Sequence, residues 1–144
     1  MNDNMITPFS KAAVDVLKVM MDLDSTQQTI SVTHENDDLN VHIGLTGDVV
    51  GDVVYSFPKS TALEMVKIMC GMEIGDVDEF VTSALGEIAN IISGNAATDL
   101  TERNISCDIL PPQLVDIDFS KQTGDGIKIS TAAGDMKLRM HISK

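Results

Sequence analysis

The run DVDEFVTSALGEIANIISGNAATDLT, Asp76 to Thr101, decides how this chain is read. Its apolar residues recur at spacings of three and four, the period of a helix, and Asp76 and Glu79 form a capping-box-like pair at its start. The pattern predicts a helix of about 26 residues, ~39 Å long at the α-helical rise, with Gly94 as a place where it can bend. Phe80, Ala84, Leu85, Ile88, Ala89, Ile91 and Ile92 wrap most of its circumference. One narrow polar line remains, through Ser83, Glu87, Asn90 and Gly94 at i, i+4, i+7 and i+11, and that line must face water or a partner. Any amphipathic helix carries a solvated stripe. Here, however, a poor helix former, Asn90, stands mid-helix with Gly94 one turn on, so helix propensity is given up twice along one line.

The chain on either side of this helix alternates. Leu39, Val41, Ile43 and Leu45 are interleaved with Asn40, His42, Gly44 and Thr46, which predicts a strand with one buried face. Thr46, Gly47 and Asp48 supply a turn, and the β-branched run from Val49 to Phe57 is the return strand of a hairpin. Met136, Leu138, Met140 and Ile142 alternate with Lys137, Arg139 and His141 after Ile127, Ile129 and an AAGD turn, which predicts a second hairpin. A short strand is expected at TISVTH, residues 29–34, and an edge strand or extended crossing at CDILPPQLVDIDFS, where the double proline excludes a helix interior. Two further helices are predicted: one entered at Thr7 and Pro8 and ending near Leu23, the other opened by Pro58 and capped by Gly71. Together these give an α+β fold, an antiparallel β-sheet with helices packed on one face.

A chain of 144 residues is one domain's length and buries about two thirds of its unfolded surface without staples, so a single domain over 1–144 is expected. Its apolar runs are too short for a membrane span, and its N-terminus lacks the features of a secretion signal, which points to the cytoplasm. A formal net charge of −12 opposes nucleic acid and anionic lipid as partners. Cys70 and Cys107 have no metal-ligand spacing and are expected in or near the core, as are most of the nine methionines. His34, Glu35, Asp37 and Asp38 cluster in a polar break that fits a solvated loop better than a metal site, and His42 and His141 fall on the polar faces of their strands.

SALGEIANIISGNAATDL resembles the signature helix of the CheX, CheC and FliY family of chemotaxis phosphatases, whose pattern is Asp or Ser, three residues, Glu, two residues, Asn. Those positions are Ser83, Glu87 and Asn90 here. The resemblance extends to TPFSKAAVDVL, to IGLTGDVVGDVVYSFP and to the C-terminal hairpin, and so covers nearly the whole chain. It is strongest to the CheX branch, with one such helix per chain; the other candidate helix has Ser10, Val14 and Leu17 at the matching places. The family's downstream proline, about 23 residues after the Asn, falls on Gln113, with Pro111 and Pro112 just before it.

The resemblance implies a substrate, the aspartyl phosphate of a CheY-type response regulator, and a site, Glu87 and Asn90 inserted into that regulator's active centre. It implies that Asn90 positions the hydrolytic water, that Glu87 pairs with the regulator's lysine, and that Ser83 and Gly94 belong to the docking line. The Mg²⁺ would be the regulator's, with no cofactor of the chain's own. It also implies a homodimer formed through the sheets, for which the strand at 136–142 offers an edge if it is terminal. A different class remains open: a regulatory module that docks a receiver or a flagellar-switch component without hydrolysis.

Overall fold

The alternation along residues 39–45 becomes one buried sheet face in the computed structural model, which describes residues 2–31, 38–115 and 125–142. In chain order the elements are α1 (Asn2–Met21), β1 (Ser25–Ser31), β2 (Leu39–Gly47), β3 (Gly51–Phe57), α2 (Lys59–Cys70), α3 (Glu79–Glu102), β4 (Cys107–Ile109), β5 (Gln113–Val115), β6 (Asp125–Thr131) and β7 (Gly134–Ile142). The sheet is seven-stranded and antiparallel, ordered β1-β6-β7-β3-β2-β4, with β5 also paired to β2. Register places Val41 opposite Tyr55 and Tyr55 opposite Leu138, so successive strands present apolar residues on the same side. Phe57, Ile43, Val53, Ile129 and Met136 join them, all fully buried against Phe9, Leu17, Leu85, Ile88 and Ile92 of the helices. Each such side chain contributes roughly 1.5–3 kcal/mol when taken from water, which is what clamps the helices to this face. The other face is polar: Ser56 donates to Asn40 at 2.7 Å, and His42 lies 3.5 Å from Asp52.

The strand at 136–142 is not an edge. Strand β7 is paired to β3 on one side and β6 on the other, so its backbone is satisfied within the chain. Among the described residues the open edge is instead β1, which begins at Ser25, earlier than its composition suggested, because all seven of its residues pair with β6. Residues 32–37 of the predicted TISVTH strand and polar break lie outside the described residues, as do 116–124.

Helix boundaries follow their caps. The first helix starts at Asn2 rather than at Thr7 and runs through Pro8, the lost N–H being outweighed by burial of Phe9, Ala13, Val16 and Leu17. It ends where Asp22 takes a left-handed conformation (φ 54°) and Leu23 N–H donates to the Leu17 carbonyl. Gly71 (φ 71°) caps α2 as the sequence predicts. Helix α3 begins at Glu79, since the N-cap is Asp78 and not Asp76: its carboxylate accepts from Val81 N–H at 3.0 Å, while Asp76 accepts from Val77. It continues unbroken past Gly94. No helix among the described residues is long and apolar enough to cross a membrane.

Candidate functional site

The core takes Val81, Leu85, Ile88, Ala89, Ile92 and Ala96 from α3, and this orients the opposite side of the helix outward. Ser83 and Glu87 are exposed and Asn90 is half-buried. Phe80, counted by periodicity among the wrapping residues, is 47% exposed. It sits in the first turn, ahead of the first core contact at Val81, and by spacing extends the polar line by one turn.

Across from that line runs the sheet edge formed by β4 and β5. Both pair with β2, Ile109 opposite Leu45 and Gln113 opposite His42, so Leu110, Pro111 and Pro112 face only Ile43 and Gly44. The edge therefore carries a one-residue bulge, where two residues without N–H groups cost the ladder nothing. Leu110 N–H still reaches the Gly44 carbonyl at 2.9 Å. The bulge brings Pro112 toward the helix at Gly86, where a Cβ would lie 3.6 Å from the Pro112 ring. Between helix and edge is a groove of about 360 Å³. Thr82, Ser83, Gly86, Glu87 and Asn90 form its helical wall, and Val41, Pro112 and Leu114 the wall opposite.

Three of the four line residues thus share one open groove. Gly94 does not line it; a Cβ there would point at Ile109 of β4, 4.0 Å away, so this glycine borders the edge strand instead. Thr82, Gly86, Val41, Pro112 and Leu114 were not singled out from the sequence. The helical ones share the stripe's periodicity, but nothing local shows that a strand some twenty residues on folds back over it. Pro112, one place short of the family's downstream proline, is in the groove nonetheless.

Among the described residues, neither the Glu87 carboxylate nor the Asn90 carboxamide has a hydrogen-bond or ion-pair partner. They are one turn apart on one face, so a single incoming group can meet both. A carboxamide offers an acceptor and two donors with no charge, and a carboxylate offers a site for a cation. No three His, Cys, Asp or Glu side chains gather as a metal site among the described residues. His34, Glu35 and Asp37 lie outside them, and Asp38 is 4.0 Å from Lys137.

Fold and groove define a class: a one-sided α+β domain that presents a carboxylate and a carboxamide from one helix beside a bulged sheet edge. The chain belongs to the chemotaxis phosphatase CheX family, whose model matches residues 39–131. It is 34% identical over 119 residues to the CheY-P phosphatase CheX of Thermotoga maritima, covering 82% of this chain and 70% of that protein. The CheX in a CheX–CheY–BeF₃–Mg²⁺ complex from Borrelia burgdorferi has the same fold, with a TM-score of 0.80, 25% identity, and 96% and 97% of the two chains covered. A CheC-like superfamily protein from Shewanella sp. PV-4 matches over 100% of both chains at a TM-score of 0.85 and 23% identity, a likeness of fold.

Proposed function

We propose that this protein dephosphorylates the aspartyl phosphate of a CheY-type response regulator in the cytoplasm, using Glu87 and Asn90 as its reacting face. The observation that carries this reading is the pair itself, adjacent, exposed to the groove and without a partner among the described residues. The family, and the pairing of CheX with CheY in the Borrelia complex, support the choice of partner.

Water attacks phosphorus in line with the acyl oxygen, the P–O bond to aspartate breaks, and the products are the aspartate carboxylate and dihydrogen phosphate, the water's protons remaining on the phosphate. Asn90 accepts a hydrogen bond from the attacking water through its carboxamide oxygen and so orients it, and being neutral it approaches phosphoryl oxygens without repulsion. Glu87 meets the receiver's active-site lysine, and this charge-assisted contact sets where Asn90 arrives. Ser83 extends the docking face. The Mg²⁺ that neutralises phosphoryl charge belongs to the receiver; the Borrelia complex was solved with BeF₃ and Mg²⁺ present.

A receiver charged with acetyl phosphate tests the reading directly. Addition of catalytic amounts of this protein is expected to accelerate phosphate release over the receiver's own rate. Release that is unchanged or slowed would replace the enzyme with a docking module.

A further inference from the structure

At the centre of the sheet lies a polar contact that neither the groove nor the proposed chemistry uses. The Tyr55 hydroxyl, on β3, and the Ser93 hydroxyl, on α3, share a hydrogen bond of 2.7 Å, and both residues are 0% exposed. It ties α3 directly to the sheet. Everything else that holds the helix there is apolar: Leu85, Ile88, Ile92 and Leu100. Contacts of that kind set how closely the helix sits but have no direction, whereas a short hydrogen bond fixes a point on the helix in both rotation and translation.

Ser93 is three residues beyond Asn90, about 4.5 Å along the axis, so the tether acts within one turn of the carboxamide. With side chains extending about 5–6 Å from the axis, a 10° roll of α3 displaces the Asn90 amide by about 1 Å. Misplacement on that scale costs up to about a hundredfold in rate where a nucleophile must be aimed.

We propose that Tyr55 and Ser93 are positioning residues for the phosphatase reaction, setting the roll and axial register of α3 so that Asn90 meets the attacking water. The assignment rests on the proposed function and deepens it. Burial pushes the Tyr55 phenol well above its ordinary pKa, so the link stays protonated across the physiological range.

Tyr55→Phe, Ser93→Ala and the double variant test it, with Ile129→Val as a control: Ile129 is equally buried but lies on β6, two strands from β3. Each single variant is expected to lower kcat about tenfold while KM for the phosphorylated receiver stays within about twofold, because the docking face is intact. The double variant should also lose about tenfold rather than a hundredfold, since one link is removed in each case, and its melting temperature should recover because both partners of the buried bond are then gone. A merely structural role gives the opposite: kcat recovers with the melting temperature, and Ile129→Val loses rate in proportion to its destabilisation. A second readout needs no receiver. The Asn90 side-chain amide resonances of the isolated protein should shift in Tyr55→Phe and stay in place in Ile129→Val. Unshifted resonances in Tyr55→Phe together with wild-type kcat would overturn the assignment. If the wild-type protein dephosphorylates no receiver, the functional reading falls, and the amide resonances still decide whether the pair sets Asn90.

Discussion

Asn90 and Glu87 differ in what each offers, and their substitutions should separate accordingly. Asn90 is half-buried and unpartnered among the described residues, so Asn90→Ala is expected to fold normally and to lower kcat about a hundredfold, on the order of 2.7 kcal/mol of transition-state stabilisation. Steady-state turnover with a saturating phosphorylated receiver measures this, and wild-type turnover would remove Asn90 from the mechanism. Glu87→Ala should raise KM as well as lower kcat, because losing a charged contact both weakens docking and misplaces the amide. If its KM proves insensitive to ionic strength and equal to wild type, there is no ion pair to the receiver. The two thiols form a second residue-scale contrast. Cys107 is 6% exposed, and burial, with the Asp108 carboxylate behind it, pushes its pKa up. At neutral pH the sulfur is therefore held as thiol, and its attack on a disulfide reagent becomes appreciable only above the ordinary thiol range. A native thiol titration at pH 7 should find one fast group per chain, the half-buried Cys70, and two after unfolding; two fast groups in the native protein would contradict the burial.

Elements, rather than single residues, make the groove. Helix α3 aims the pair only because its N-terminus is fixed by Asp78 and its far wall is the bulged edge of β4 and β5. Asp78→Ala should cost about 1 kcal/mol, read as a lower melting temperature with the fold retained. An unchanged melting temperature would mean that the bond to Val81 contributes nothing net. At Gly86 the wall stands 3.6 Å from where a Cβ would be, so the site accepts a methyl group and nothing larger without filling the groove. Gly86→Leu is accordingly expected to fold and to lose binding of a beryllofluoride-charged receiver. Unaltered binding by calorimetry would show that the receiver does not enter beside Pro112. The alternation of β2 and β7, the β-branched run of β3 and the caps at Pro58 and Gly71 were legible locally because each rests on residues adjacent in the chain. The start of α1, the cap of α3 and the extent of β1 were not. For α1 and β1, burial or a ladder partner elsewhere outweighed a local signal that pointed a few residues away, and at α3 two aspartates two residues apart offered a cap, of which Asp78 meets the Val81 N–H.

For the molecule as a whole, the sheet is asymmetric: the groove lies at the β2 end, and β1 closes the other end with a backbone edge that is unpaired among the described residues. Thr26, Gln27, Gln28 and Thr29 of β1 are exposed and carry neither a charge nor a proline, so among the described residues nothing of the usual kind blunts this edge. We propose a homodimer in which β1 pairs with β1 of a second copy, joining the two sheets and leaving the grooves at opposite ends, each free to engage its own receiver. Sedimentation equilibrium at micromolar concentration should find twice the 15.5 kDa chain mass, and Gln28→Pro should return it to the single mass. A wild-type species at the single mass would exclude the dimer, and a Gln28→Pro variant that stays dimeric would move the contact away from β1.

The amino-acid sequence by itself determined the elements and the polar line, because periodicity, turn chemistry and helix propensity are properties of neighbours in the chain. It placed Ser83, Glu87 and Asn90 on one side of one helix, since 3.6 residues per turn leaves no choice. What only the tertiary structure decided is what faces that line. The bulge at Leu110 to Pro112 joins residues about seventy positions apart, and the approach of Pro112 to Gly86 and the bond from Tyr55 to Ser93 join residues about twenty-five to forty apart. Strand order moved the open edge from β7 to β1 for the same reason. Such pairings are settled by which apolar faces can be buried together and which backbone groups remain to be satisfied, and both are properties of the assembled chain.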